Sequence, residues 1–418
     1  MVAKVREIEV VFTIDPEKSW PVGVLAMHRG AFFFEYGSEL LARNLELSPF
    51  KLPLKPGLFE HHHLEFGPLF GLFDDSLPDG WGHLLMDRYF RKSGTNPATV
   101  SPLDRLLYLG KRTMGALTYH PPREQSRQKP GPFDLHELAS HSMQIFAGSE
   151  DEILPILLRA GGSPGGARPK VVVGYNPTNR SLIAGDDDLP ADFEPWIVKF
   201  SARDDVCDAG PIEYAYALMA VAAGLEMPPT RLFRTLQNEA FFGVRRFDRG
   251  PGNRRYHTHT FGNLIHSNFR IPACDYSDLL KATLLLTRNH AEVLRAFRLM
   301  LFNVLSCNRD DHVKNFSFIL NDITSQWTLS PAYDLTFSLG PGGEHSTTVA
   351  GEGRNPTRNH FEKLAQEHCV SAKELQKMLY EVASAVERWP EFAEKAEVSA
   401  IKTRDIANHL TGKTLTLL

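Results

Sequence analysis

The sequence predicts an α+β fold in which a strand-rich N-terminal portion gives way to a mainly helical C-terminal one. Three observations carry this. Short runs of alternating apolar and polar residues, bounded by Gly, Pro and Asn, recur through residues 1–250. From about residue 255 the apolar spacing turns helical. A stretch at 121–134, rich in Pro, Arg and Gln, reads as a linker. At 418 residues the chain has room for two or three domains. The expected division is an N-terminal subdomain at 1–120, a strand-rich unit at 135–250 and a helical unit at 251–418.

The elements follow in order. Val5–Ile14 and Val22–Tyr36 alternate like strands, with Arg29-Gly30 as a turn inside the second. A Pro-containing loop (52–57) leads to residues 70–90, where Ser76–Gly80 reads as a turn or helix start before Leu84, Leu85 and Tyr89. Leu135–Phe146 reads as a helix, followed by another ending near Arg159. A glycine-rich stretch precedes a strand at Lys170–Tyr175, and Asn176–Asn179 signals a turn into a returning strand, Arg180–Ala184. The acidic loop Asp186–Asp188 is followed by Trp196–Phe200, a strand with an embedded lysine. Glu213–Leu225 reads as an Ala-rich helix that lets a neighbour pack closely, and Arg231–Phe247 as two strands. Helices are expected at Tyr276–Arg288, Ala291–Cys307, 359–368, 372–390 and 400–410, with a hairpin over 315–330.

Composition excludes several classes. Forty-six basic against 50 acidic residues leave a net charge of −4, which rules out a strongly basic nucleic-acid coat protein. No apolar run reaches the ~20 residues of a membrane helix; the longest is Tyr214–Leu225. The N-terminus alternates like a strand and lacks a signal peptide's apolar core. The four cysteines are far apart with no CxxC, against a structural zinc or a disulfide framework. These features predict a reduced, cytoplasmic protein. Gly412-Lys413-Thr414 resembles the end of a P-loop, but Ala407 stands where the upstream glycine is required. His61–His63 reads as a solvated loop, and His257 with His259 lacks an evident carboxylate partner for a metal.

One constellation carries chemistry. In Asn308-Arg309-Asp310-Asp311-His312-Val313-Lys314-Asn315, an Asp precedes an Asn by five residues, the spacing of a kinase catalytic loop. There the Asp orients the attacking hydroxyl and the Asn binds Mg²⁺. A long helix precedes the segment. The hairpin after it ends at Pro331-Ala332-Tyr333-Asp334-Leu335, where such a fold places its second metal-binding Asp. Upstream, glycines at Gly161–Gly166, Lys199 within a strand and Glu213 on a helix follow the same order. Each has a plainer reading: a flexible loop, a snorkelling lysine, a first-turn acid favouring the helix dipole, or, for Asp310 and Asp311, a helix cap. Their joint occurrence in kinase order points to phosphoryl transfer.

Several segments resemble the HipA family of serine/threonine kinases, the toxins of type II toxin–antitoxin modules, in fixed order along nearly the whole chain. They are Phe73-Asp74-Asp75-Ser76-Leu77-Pro78-Asp79-Gly80-Trp81-Gly82, Met114–Leu117, Ser163–Lys170, Trp196–Phe200, Arg246–Arg249, Asp310–Phe316 and Pro331–Leu335. The resemblance implies a bilobed, protein-kinase-like α+β fold with an extra N-terminal α/β subdomain and ATP in the cleft. It makes Asp310 the catalytic base and Asn315 and Asp334 the Mg²⁺ ligands. Lys199, paired with Glu213, would contact ATP phosphates, and Gly165, Gly166, Ala167 and Lys170 would belong to the glycine-rich loop. Backbone around Arg245, Arg246 and Phe247 would read adenine, with His312 near the γ-phosphate and Lys314 in the cofactor-binding set. Ser163 occupies the place of the serine whose autophosphorylation ejects the loop and inactivates the kinase; a phosphoserine adds about −1.5 to −2 charges there. The implied partners are a helix-turn-helix antitoxin of the HipB type, operator DNA through that antitoxin, and an aminoacyl-tRNA synthetase as protein substrate, with no membrane. Departures are Arg245 where Glu is frequent, Ile212 where Asn is frequent, and Pro164 and Pro169 in the loop; none removes a catalytic group. A small-molecule phosphotransferase on the same fold and a non-catalytic corepressor remain as alternatives.

Overall fold

The structure is a computed structural model that describes residues 6–63, 65–121, 133–148, 157–158, 165–185, 188–201 and 208–417, with side chains to residue 410. Most of the expected linker, the helix end near Arg159, Ser163 and part of the acidic loop lie outside the described residues.

The N-terminal subdomain is a five-stranded sheet built from β1 (Glu7–Thr13), β2 (Ser19–His28), β3 (Ala31–Tyr36), β4 (Leu58–Glu60) and β5 (Leu117–His120), in the order β4-β3-β2-β1-β5. On β1, Ile8, Val10 and Phe12 are buried while Glu7 and Glu9 face solvent, the period-two pattern of a one-sided sheet. Arg29 (φ 49°) and Gly30 (φ 86°) both sit at positive φ, which turns β2 into β3 as a tight hairpin. Helices α1 (Ser38–Arg43), α2 (Gly71–Asp74), α3 (Gly80–Lys92) and α4 (Pro102–Leu109) complete it. Helix α4 opens with a Ser101/Asp104 capping box and a proline in its first turn.

After α5 (Leu135–Phe146), a second sheet forms from β6 (Lys170–Tyr175), β7 (Leu182–Ala184), β8 (Glu194–Lys199), β9 (Thr230–Arg234) and β10 (Ala240–Arg245). Its order is β7-β6-β8-β10-β9, and every neighbouring pair is antiparallel. All six residues of β6 are buried, and Lys170 lies opposite Lys199 in the β6–β8 register. Helix α6 (Ala209–Ala222) joins β8 to β9. It starts four residues before the expected Glu213; Asp208 stands at its N-cap position, but its carboxylate accepts from Ser399 and not from the helix. Gly224, at φ 78°, ends it. Glu213 therefore lies in the second turn and faces the sheet. Gly210 permits the close approach: a Cβ there would meet the Ala240 carbonyl oxygen at 2.5 Å.

The C-terminal portion contains β11 (His257–Thr260), α7 (Phe261–Ile265), the two-residue β12 (Cys274–Asp275), α8 (Tyr276–Thr287), α9 (His290–Leu305), the hairpin β13 (Ser317–Asn321) and β14 (Gln326–Leu329), and β15 (Thr347–Thr348). Helices α10 (Arg358–Glu367), α11 (Ala372–Glu387), α12 (Trp389–Lys395) and α13 (Ala400–Leu417) close the chain. β11 pairs with β13, so a strand precedes the helices where the sequence pattern suggests none. His-Thr-His-Thr offers no apolar residue to mark it; the histidines fill the buried face. His257 donates from Nε2 to the Leu47 carbonyl oxygen (3.0 Å), and His259 bonds Asp75 (2.5 Å) and Ser48 (3.0 Å), so both rings serve packing. His62 and His63 are exposed in a loop, as expected, whereas His61 is buried. A continuous apolar core links the first sheet, α6 and the C-terminal helices, while Trp81 and Leu85 of α3 enter a second core beneath the β6–β10 sheet. The architecture is the bilobed, kinase-like α+β fold expected, with the extra N-terminal subdomain packed against both lobes.

Candidate active site

The site begins with Lys199, at the C-terminal end of the central strand β8. Its ammonium donates to Glu213 Oε1 on α6 and to Asp334 Oδ1 (2.5 Å) in the loop after β14. An ammonium this buried is costly without partners, and here two carboxylates supply them. Burial alone would lower the lysine's pKa; Asp334 and Glu213 outweigh it and push it up. Asp334 is held well below the usual carboxylate range, chiefly by Lys199. Burial raises the Glu213 carboxyl, with Lys199 opposing. Asp334 adopts φ 58°, an uncommon conformation for a non-glycine residue. Three segments distant in sequence thus meet at one ammonium.

The catalytic-loop candidate lies between α9 and β13. Asn315 donates from Nδ2 to the Asp310 carbonyl oxygen (2.6 Å), which fixes the five-residue turn. The Asp310 carboxyl is solvent-accessible, and partial desolvation raises its pKa, with Asp334 and Asp311 adding and His312 and Arg168 opposing. Asp310, Asp334 and the glycine-rich segment thus share one electrostatic neighbourhood. His312 caps the 313–315 turn, accepting from the Lys314 amide (3.3 Å), and its ring lies 5.3 Å from that of Phe269. Asp311 is buried and accepts from Tyr276 (2.7 Å) and the Ser346 amide (2.8 Å), and pairs with His345 (2.8 Å). It anchors the loop while Asp310 is left to the cleft. Tyr333, next to Asp334, donates to the Lys314 carbonyl oxygen (2.7 Å) and ties the two loops together.

The glycine-rich segment is described from Gly165. Gly166 sits at φ 100°, and the space a Cβ would need is filled by the Lys170 ammonium. Lys170 donates to the Gly165 carbonyl oxygen (2.5 Å). Burial, then the neighbouring Lys199, lowers its pKa to about 8. Ala167 lies against Gly80 of α3. Ser163 lies outside the described residues.

At the end of β10, the Arg245 amide donates to Pro229 and the Arg246 amide to Pro195, both at 2.9 Å. Their side chains are engaged as well: Arg245 with Glu194 (3.3 Å), and Arg246 with buried Asp248, which also holds Arg249 and the Gly115 amide. Of the three hinge residues expected from the sequence, only the Phe247 amide lacks a backbone acceptor among the described residues. Its ring lies 5.5 Å from that of Tyr333.

The donor set is one of hard oxygens, Asp334, Asn315 and Asp310, with an ammonium beside it. Mg²⁺ takes one or two such protein ligands and completes its shell with phosphate oxygens and water. The residues present therefore suit a Mg²⁺–nucleotide complex. Sequence reasoning assigned no individual role to Asp74, Asp79 and Tyr333, and offered Asp311 only as a helix cap. Asp311 had a signal in its position beside Asp310; the carboxylates of the Phe73–Gly82 segment act only through long-range contacts.

No curated protein matches this sequence. Among solved structures, the chain is similar to one in the Shewanella oneidensis MR-1 toxin–antitoxin complex of HipA, HipB and its operator DNA. The two are 16% identical over 98% of this chain and 96% of that one, with a TM-score of 0.69, a likeness of fold. The Helicobacter pylori proinflammatory kinase CtkA is 14% identical over 54% of this chain and 88% of its own, with a TM-score of 0.37. Residues 17–120 match the HipA N-terminal domain, and residues 162–389, more than half of the sequence, match the HipA-like C-terminal domain: the chain belongs to the HipA family.

Proposed function

We propose that this protein is an ATP- and Mg²⁺-dependent serine/threonine protein kinase acting as the toxin of a toxin–antitoxin pair. The observation that supports this most is the meeting of Lys199, Glu213 and Asp334, with Asp310 and Asn315 on the facing loop. Lys199 would neutralise nucleotide phosphates. Asp334 and Asn315 would hold Mg²⁺, which supplies charge neutralisation on the phosphoryl oxygens. Asp310 would orient the acceptor hydroxyl and take its proton; its raised pKa suits a group that must accept one. The Phe247 amide is the hinge donor for the base. The partners we infer are a HipB-type antitoxin, with operator DNA reached through it, and an aminoacyl-tRNA synthetase as substrate. The solved HipA–HipB–DNA relative supports the antitoxin and DNA; the synthetase rests on the family resemblance. No helix among the described residues is long and apolar enough to cross a membrane.

The test is peptide mass spectrometry after incubation with Mg²⁺ and ATP, comparing wild type with Asp310→Ala. A phosphoryl adduct in wild type and not in the variant supports the kinase, and its position on Ser163 supports self-inhibition. Failure of wild type to bind Mg²⁺–ATP overturns the reading.

A further inference from the structure

The N-terminal subdomain reaches into the cleft where α3 begins. Asp79 Oδ1 accepts from the Gly166 amide of the glycine-rich segment. Its Oδ2 lies 3.8 Å from the Lys314 ammonium, which is also 3.3 Å from Asp74 Oδ2. One carboxylate therefore touches both loops between which a nucleotide's phosphates would lie.

The surroundings fix that carboxylate. The Trp81 amide donates to the Gly166 carbonyl oxygen (3.2 Å), and its indole N–H to the Lys170 carbonyl oxygen (3.0 Å). Trp81 is fully buried. Gly80, at φ 32°, lets the backbones touch: a Cβ there would lie 2.5 Å from the Ala167 Cα. On the other side, Asp75 accepts from the Thr260 amide (2.8 Å) and hydroxyl (2.7 Å) and from Asn263 (2.8 Å), clamping the same segment to the C-terminal lobe. Lys314 precedes Asn315, and its carbonyl accepts from Tyr333, the neighbour of Asp334. A displacement of Asp79 thus reaches Gly166 directly, Asn315 through Lys314, and Asp334 through Lys314 and Tyr333.

We propose that Asp79 is a positioning residue that couples the glycine-rich segment to the catalytic loop, so that the N-terminal subdomain sets the placement of Gly166 relative to Lys314. Its kinetic consequence rests on the kinase reading; the coupling itself does not. The charge half of the contact, to Lys314, and the acceptor half, to Gly166, are separable by substitution. Asp79→Asn keeps an oxygen for the amide and loses the charge, whereas Asp79→Ala loses both.

The experiment uses the full chain. Amide hydrogen exchange is followed at 165–170 and 310–315 without nucleotide, and KM for ATP and kcat are measured on the same preparations. Asp79→Ala is expected to speed exchange in both segments and to raise KM about tenfold, the size of one charge-assisted hydrogen bond. Asp79→Asn is expected to keep 165–170 protected, speed exchange at 310–315, and lower kcat more than it raises KM. Unchanged exchange at 310–315 in both variants overturns the coupling. Should Asp79→Ala not fold, the near-isosteric Asn variant decides. Coupled exchange in a wild-type protein that transfers no phosphate keeps the coupling and removes the kinase reading.

Discussion

Replacing Lys199 by Met tests the centre of the site through stability alone. The Lys199 and Glu213 side chains are 13% and 6% exposed, so solvent screens their pairing little. Asp334 is 41% exposed, and its share is discounted. Removing the lysine leaves a buried glutamate facing Asp334 with no cation on it. Breaking a buried pair in this way costs about 3–5 kcal/mol. For a 418-residue chain unfolding as one unit, an unfolding entropy of about 2.1 cal/mol/K per residue turns that into a Tm loss of roughly 3–6 °C. The loss depends on pH. Burial already raises the Glu213 pKa, and Lys199 opposes the rise; without the lysine it climbs further. A raised carboxyl favours folding below its unfolded pKa and loses that contribution as pH rises through the folded value. The variant therefore recovers between pH 7.5 and 5. Wild type recovers less, since Lys199 opposes the rise at Glu213 and Asp334, held below its usual range, keeps its contribution until much lower pH. Glu213→Gln is the control: Lys199 keeps Asp334, and the loss should be about 1–2 °C. The assay is differential scanning calorimetry of all three proteins at both pH values. A Lys199→Met loss under about 1 °C at pH 7.5, or an equal loss at both pH values, would refute the reasoning.

Other outcomes follow from the same geometry. Asp310→Ala should lower phosphoryl transfer by about 10²–10⁴ and leave nucleotide affinity within about twofold, as read by single-turnover kinetics and titration calorimetry. Because the Asp310 pKa is raised, the acid limb of the pH–rate profile should lie above the ordinary value near 3.9, and move or vanish in an Asp310→Asn variant. Lys170 titrates near pH 8 in the folded chain and near 10.4 unfolded. The unfolded state therefore binds more protons between those values, and wild-type Tm should gain from this group as pH rises through 8 to 10, a gain that Lys170→Met should abolish. Tyr276→Phe removes a donor to buried Asp311; it should destabilise by about 1–3 kcal/mol in urea titration and lower kcat, because Asp311 holds the loop that carries Asp310.

Much of the fold was legible because its elements are locally consistent. Leu135–Phe146 and Lys170–Tyr175 have the same bounds in the sequence pattern and in the structure. Helix caps such as Asp275/Asp278 and Ser371/Glu374 mark α8 and α11 by residue type alone. The strand β11 was not legible, since its buried face is made of histidines that reach Leu47, Ser48 and Asp75 across the chain. Glu213 was found, but as a helix opener; only the packing of α6 on β10 shows it in the second turn, aimed at Lys199.

The candidate site divides along the same line. Asp310, Asn315, Lys199 and Asp334 announce themselves through spacing and order, because the chemistry demands those types at those places in the chain. Asp74, Asp75 and Asp79 do not, because what each does is defined by a partner roughly 90 to 240 residues away: Gly166, Thr260, Asn263 and Lys314. In the sequence these carboxylates stand only within the Phe73–Gly82 segment that carries the family resemblance. Only when α3 is docked on the second sheet through Trp81 do these carboxylates become shared counter-charges for two loops. This also explains why the N-terminal subdomain cannot be treated as an appendage. It supplies an acceptor to the glycine-rich segment and a counter-charge to the residue preceding Asn315. Its removal would leave Lys314 without Asp74 and Asp79, the Gly166 amide without Asp79, and the apolar pocket of Trp81 open beneath β6.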